Sequence, residues 1–506
     1  MNRRFPWRAA AALLCVLLIP AAACLFPLAA KSRPARDPGT CLGLPILGAM
    51  PAVQEGGETP QVLYQGLAAP LDESTRTLYL TVSAGSAPGD LSGRLAARDS
   101  GISLAFAPDA AFGDLPAAIA DGHIFRLLAL RGGAAEAEFS VVFTPLPVIC
   151  MDTAYDSDYG DPYALHSGRI RVFETGGAGD SQAGWHRRGM STRLFKKGSW
   201  KLSVTNDFDR PRNFAIAGLG ADDDWILNSM GMDDLKLREM LVTTLWNQMQ
   251  RERGSALRMA DCAYSEVILD GEYIGLYLLQ RRVDTKYLGL EKSRDVVLKG
   301  SNIAGVKSAL DAFTVKSAPM DSEKAAMLAQ PLVDLSDVSN VDLDTWLDFD
   351  AFLLFGAMYD NRAIRNAYYL LSPEDGTYRI SLLPWDTDIS FGLGYVQKRG
   401  HVLLPLEEES LPLSHRREYD ALSLLYPDLE ARIAARWQSL RGGVLSDENV
   451  KRTLSAIRQA LQNSGAYARD AALWQPRYHG KDTGERFDAF LDLRLQQVDA
   501  AYLKNE

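Results

Sequence analysis

The first pattern along the chain is an apolar run from Ala9 to Ala30, with Arg3, Arg4 and Arg8 before it and Lys31, Arg33 and Arg36 after it. A basic start followed by such a run is export-type sequence. Cleaved after Ala21-Ala22-Ala23 it is a signal peptide; kept, it is long enough to cross roughly 30 Å of hydrocarbon as a helix. A lipid anchor on Cys24 is a third reading. Each of them places the rest of the chain beyond a membrane, and basic residues at both ends of the run favour an N-inside orientation only weakly.

Residues 31–42 are polar, contain Pro and have no period, which suits a linker. From 43 to 145 the apolar pieces are short and β-rich, as in Thr77-Leu78-Tyr79-Leu80-Thr81-Val82 and Glu138-Phe139-Ser140-Val141-Val142-Phe143. That pattern predicts a small all-β, sandwich-like domain. It holds no catalytic constellation and reads as a spacer or adhesion module. A larger domain is predicted over 146–506. Strand-like segments come first and include a hairpin, with Glu266–Leu269 and Tyr273–Tyr277 flanking the turn pair Asp270-Gly271. Apolar residues at 235, 237, 240, 241, 245, 246 and 249 predict an amphipathic helix from Asp234 to Met249. From Val341 helices dominate: one opens at Asp342-Leu343-Asp344, and 427–503 is helical with charged faces. Mostly β followed by mostly α is the order of a two-lobed α+β domain.

The composition excludes some functions. With 506 residues, 47% hydrophobic and 23% charged, the chain is globular rather than disordered or collagenous. A net charge of −10 argues against capture of a nucleic-acid backbone, which needs a clustered basic surface. Cysteines 15, 24, 41, 150 and 262 show no C-x-x-C spacing, hence no zinc finger. A Cys41–Cys150 disulfide and free buried thiols both remain open.

Three segments carry candidate chemistry. Between Arg187 and Val204, six of eighteen positions are cationic and none is acidic. If 197–204 is a strand, Lys197, Ser199 and Lys201 share a face suited to phosphate, although a solvated edge strand protected by lysines has the same pattern. Asp360 to Asn366 precedes a predicted strand at Ala367–Leu371, and an Asp followed by an Asn serves phosphoryl transfer when the Asp orients a hydroxyl and the Asn holds a metal. Asp386 and Asp388, two apart after another strand, can grip Mg²⁺; a surface turn is the plainer account. Gly176-Gly177-Ala178-Gly179 lacks the Lys and Ser/Thr ending of a phosphate-binding loop and reads as a turn.

From about residue 147 to 503 the chain resembles the spore-coat protein H (CotH) kinase family, atypical kinase-like proteins. The resemblance rests on Arg188-Gly189-Met190-Ser191-Thr192-Arg193, Lys196-Lys197-Gly198-Ser199-Trp200-Lys201, Trp225-Ile226-Leu227-Asn228, Gly271-Glu272-Tyr273-Ile274-Gly275-Leu276-Tyr277 and Leu298-Lys299-Gly300, and most specifically on Pro384-Trp385-Asp386-Thr387-Asp388-Ile389-Ser390-Phe391-Gly392. It implies ATP-dependent phosphoryl transfer, with Mg²⁺ or Mn²⁺, to Ser or Thr of a coat or cell-envelope protein. It further implies that Lys201 or Lys197 and Arg188 contact ATP, that Asp360 orients the acceptor hydroxyl, and that Asn366, Asp386 and Asp388 bind metal.

Two departures point the other way. Gln280 stands where the family commonly has Glu, so a carboxylate that could pair the lysine is missing from that strand. Asp360 and Asn366 are six apart, where the kinase spacing of five is met from Asn361. Both features suit a catalytically inactive pseudokinase acting as an envelope or coat scaffold. A carbohydrate-binding envelope protein is a third reading, prompted by the β-rich region and nine tryptophans.

Overall fold

Short, largely buried strands build the first region into small sheets. The computed structural model describes residues 39–51, 59–83, 91–155, 159–189, 192–301, 306–396, 400–406 and 413–503. The export run and the linker up to residue 38 lie outside them. Among the described residues no helix is long and apolar enough to cross a membrane. Thr40–Glu506 forms one compact unit.

In that unit, a five-stranded sheet runs in the order Leu71–Asp72, Thr77–Thr81, Ala134–Thr144, Phe125–Arg131, Ser103–Phe106, and a three-stranded one in the order Leu67–Ala68, Val62–Tyr64, Leu95–Ala97. Val62, Tyr64 and Leu95 from the smaller sheet share a core with Leu78, Leu80, Leu127 and Phe143 from the larger. The region is β-rich as predicted, with one short α-helix, Leu115–Ala120, which its sequence explains: the Asp114 side chain accepts from the Ala117 amide and Pro116 occupies the first turn.

Seven strands then close a barrel: β1 (Val148–Thr153), β2 (Leu165–Glu174), β3 (Gly177–Arg188), β4 (Ser199–Thr205), β5 (Asp224–Asn228), β6 (Cys262–Leu269) and β7 (Glu272–Arg281), in the order β1-β2-β3-β4-β5-β7-β6 with β6 parallel to β1. Alternate residues fill it, among them Ile149, Ile170, Trp185, Trp200, Leu202, Trp225 and Leu279. Asp270 and Gly271 take φ of 48° and 72° in the predicted hairpin, as a two-residue turn with both central residues left-handed requires. This turn also docks the first region, since the Glu73 amide donates to the Gly271 carbonyl at 2.8 Å. Gly176 and Gly177 stand at the β2–β3 turn.

Helix α1 (Arg238–Glu252) follows β5, and α2 (Leu343–Gly356) is capped by Asp342, which accepts from the Asp344 and Thr345 amides. A four-stranded sheet in the order β9 (Phe313–Ser317), β8 (Val296–Gly300), β10 (Ala367–Glu374), β11 (Thr377–Pro384) lies beyond the barrel. Both helices, this sheet and the C-terminal helices enclose the largest core, where Trp246 meets Phe352 edge-on at 5.2 Å between ring centroids. Cys150 and Cys262 are free thiols, and burial pushes Cys150 up to about 12.

Candidate active site

A cleft of about 660 Å³ is lined by the outer face of β3 to β5, by β8 and β9, and by the turns that flank β10 and β11. Because Trp200, Leu202 and Val204 point into the barrel, Ser199 and Lys201 point out into the cleft. Arg188 at the end of β3 joins them. Lys299 and Lys316 come from β8 and β9.

These cations are unequally partnered. Lys201 pairs with Asp224 at 3.1 Å, Arg282 with the same carboxylate at 2.6 Å, and Arg365 with Asp360 at 2.5 Å. Arg188, Lys299 and Lys316 have no ion pair among the described residues; Arg188 lies 5.7 Å from the Trp385 ring centroid and Lys299 lies 5.1 Å from it. Burial, followed by the charge of Arg188, brings Lys299 down to about 8. Lys316 is lowered by burial and by Arg282, Arg188 and Lys201. Crowded cations that make no direct ion pair among the described residues form a surface prepared for an anion.

Carboxylates line the same cleft. Asp360 sits in a 3₁₀ turn after α2, and Asn366 and Asp386 lie just beyond the last register pair of β10 and β11, Ala367 with Pro384. Asn366 and Asp386 both have left-handed backbones, with φ of 59° and 58°, a conformation that strains residues with a side chain and clusters at functional sites. Asp388 is held well above the carboxylate range by burial and then by the negative charges of Asp386, Glu239, Asp233 and Asp360. Glu239, buried on the first turn of α1, accepts from Asn228 Nδ2 at 2.8 Å and from Gln280 Nε2 at 2.7 Å. Its acid is raised by burial and by Asp386.

Among the described residues no three His, Cys, Asp or Glu side chains are grouped closely enough to hold a metal by themselves. Mg²⁺ needs only one or two carboxylates and completes its octahedron with water and phosphate oxygens. Asp386 and Asp388 both line the cleft, and Asp388 is raised by burial and by the charge of Asp386 beside it; such a pair fits the ion.

Arg188, Lys201, Asp360, Asn366, Asp386 and Asp388 thus line one cleft, and Lys197 does not. Strand β4 begins at Ser199, so the alternation that would align Lys197 with Lys201 does not reach it. Lys197 is instead buried, with Nζ 2.5 Å from both Asp470 Oδ1 and the Leu276 carbonyl, and burial brings it down to about 7 despite Asp470. It ties helix α3 (Ala466–Leu473) to the barrel.

Lys299, Lys316 and Glu239 went unassigned in the sequence reading. A single lysine ending the apolar strand Val296-Val297-Leu298-Lys299 was the available signal for the first, because a buried ammonium is costly without a purpose. Glu239 is a buried carboxylate that Gln280, on the seventh barrel strand, holds by its side-chain amide.

No curated protein matches the chain. The profile of the CotH kinase protein family matches residues 186–494, beginning at the end of β3 and taking in both walls of the cleft. That stretch is more than half of the chain, and membership of a kinase-like family implies use of ATP and a divalent metal in general terms. The chain belongs to the CotH kinase protein family.

Proposed function

We propose that this protein transfers the γ-phosphoryl group of ATP to a Ser or Thr hydroxyl of a coat or cell-envelope protein, from an exported position held at the membrane by residues 9–30. One observation carries the catalytic part: three cations that make no ion pair among the described residues line the same cleft as Asp360, Asp386 and Asp388, an arrangement suited to a polyanion and a divalent cation together. The export run and the family's setting support the location.

In this reading Arg188, Lys299 and Lys316 bind phosphate oxygens, Arg188 as a fork with two parallel donors. Lys201, already bound to Asp224, adds positive potential at the rim. Asp360 accepts the proton of the acceptor hydroxyl while Arg365 holds its carboxylate in place; the new P–O bond forms as the bridge to the β-phosphate breaks, and ADP leaves. Asn366, Asp386 and Asp388 would hold Mg²⁺ or Mn²⁺, which when bound neutralises charge on the transferring group.

The test is transfer of labelled γ-phosphate by the full-length chain to envelope or coat proteins. Wild type labels an acceptor, while Asp360→Asn and Asp386→Asn do not. A wild-type protein that binds no nucleotide in the presence of Mg²⁺ or Mn²⁺ overturns the reading, and one that binds but never transfers leaves a scaffold in its place.

A further inference from the structure

The turns that carry Asn366 and Asp386 are joined by a side chain that does not line the cleft. Asn361 is fully buried, and its Nδ2 donates to the Asn366 carbonyl at 2.8 Å and to the Trp385 carbonyl at 2.9 Å. Both partners are backbone acceptors, so the amide must present its NH₂ group to them, one hydrogen to each. The Trp385 amide donates in turn to the Asn366 carbonyl at 3.1 Å, closing a small ring of hydrogen bonds beyond the ends of β10 and β11.

Asn361 is itself anchored. Arg416, buried and paired with Glu418 at 3.2 Å, donates from Nη1 to the Asn361 carbonyl at 2.6 Å. The clamp therefore ties the two turns to the 3₁₀ turn that Arg416 anchors, and it acts where the backbone leaves the common regions: Asn366 and Asp386 are left-handed, a conformation Asn and Asp adopt more readily than other residues with side chains but still uncommonly. Removing this one side chain would take a support from both turns at once, leaving only the bond from the Trp385 amide to the Asn366 carbonyl between them.

We infer that Asn361 is a positioning residue that fixes the spacing and orientation of Asn366 and Asp386 for a divalent cation. This rests on the reading of the cleft as a metal-nucleotide site. Loss of a supporting hydrogen bond behind a metal ligand commonly weakens metal affinity about 10–100-fold.

The test uses the full-length protein with Mn²⁺ and ATP as probes. Bound Mn²⁺ is read from the electron paramagnetic resonance of the free ion, and a thermal melt establishes folding. Asn361→Ser is expected to weaken Mn²⁺ binding by about 10–100-fold while ATP binding without metal stays at the wild-type value. Asn361→Leu, which keeps the side chain's size and drops both hydrogen bonds, is expected to do the same and substitutes for the Ser variant should that fail to fold. Asn247→Ser removes a comparable buried amide, bonded to the Met259 carbonyl at 2.8 Å and to Asp261 at 3.0 Å outside the cleft, and is expected to leave Mn²⁺ binding unchanged. Wild-type Mn²⁺ affinity in the Asn361 variants, or an equal loss in Asn247→Ser, overturns the inference alone. Failure of the wild type to bind Mn²⁺ with ATP overturns the reading of the cleft, and the inference with it.

Discussion

Replacing each of three lysines by Met separates the residue that meets phosphate from those that do not. Lys299 makes no ion pair among the described residues and lies 5.1 Å from the Trp385 ring centroid, with Asp386 and Glu239 acting on it only through their charge, so a phosphate would be its first direct counter-ion. A hydrogen bond to a charged group contributes about 1.5–3 kcal/mol, and Lys299→Met is therefore expected to raise the nucleotide Kd about 10–150-fold. Lys201 is already paired with Asp224 at 3.1 Å, and Lys201→Met is expected to cost well under half of that free energy. Lys197→Met removes the nearer of two cations from buried Asp470, leaving Lys236 at 3.7 Å, and is expected to lower stability by up to about 3 kcal/mol while leaving the Kd of the folded fraction unchanged.

Calorimetric titration with ATP and Mg²⁺ measures the first two, and urea unfolding the third. Acidity provides an internal check, since Lys299 titrates at about 8: it is mostly charged at neutral pH and mostly neutral above 9. Nucleotide affinity should fall as the pH rises through 8 in the wild type and not in Lys299→Arg. Stability should move the opposite way. With the folded value depressed below the unfolded 10.5, the unfolded chain holds the extra proton in that window, so the Lys299 contribution to stability rises with pH between about 8 and 10.5. A Lys201→Met loss larger than that of Lys299→Met would refute the assignment.

Other perturbations follow from the packing. Arg238 donates to Asp482 at 2.8 and 2.7 Å, to Asp233 and to the Ser390 carbonyl at 2.9 Å, joining α1 to the segment after Asp388; Arg238→Met leaves two buried carboxylates unpaired and should cost about 3–5 kcal/mol in urea unfolding. In Gly300→Ala the new Cβ would fall 2.0 Å from the Ile364 carbonyl, so the backbone beside Lys299 must shift, with about 1–3 kcal/mol lost in thermal or urea melts and weaker nucleotide binding in titration. Burial alone would lower His415, but its 2.6 Å hydrogen bond to Asp350 and that carboxylate's charge raise it. Its contribution is fully present below the ordinary His value and lost as the pH rises through the raised one. The stability gap between wild type and His415→Asn, followed by urea unfolding, should close over that window.

Several elements were legible because their causes are local. The Asp-Gly turn needs two left-handed residues, α2 begins where Asp342 can cap it, and period-two burial marks the barrel strands without a partner being known. The adjacency of Asp386 and Asp388 after a strand was likewise visible, since both stand within a few residues of the end of β11.

What escaped the sequence depends on distant segments meeting. Lys299 reaches Trp385 because β8 pairs with β10, bringing Lys299 opposite Tyr368, and β10 pairs with β11. Glu239 is held by amides on β5 and β7, and Asn361 holds carbonyls at both strand ends. The sequence by itself determined the elements, the hairpin and the residue types available for phosphate and metal, because periodicity and capping act over a few residues. Only the tertiary structure decided that Lys197 is spent on Asp470 while Lys299 faces the cleft, because alternation fixes relative faces within a strand and the packing of remote elements fixes which face becomes the site.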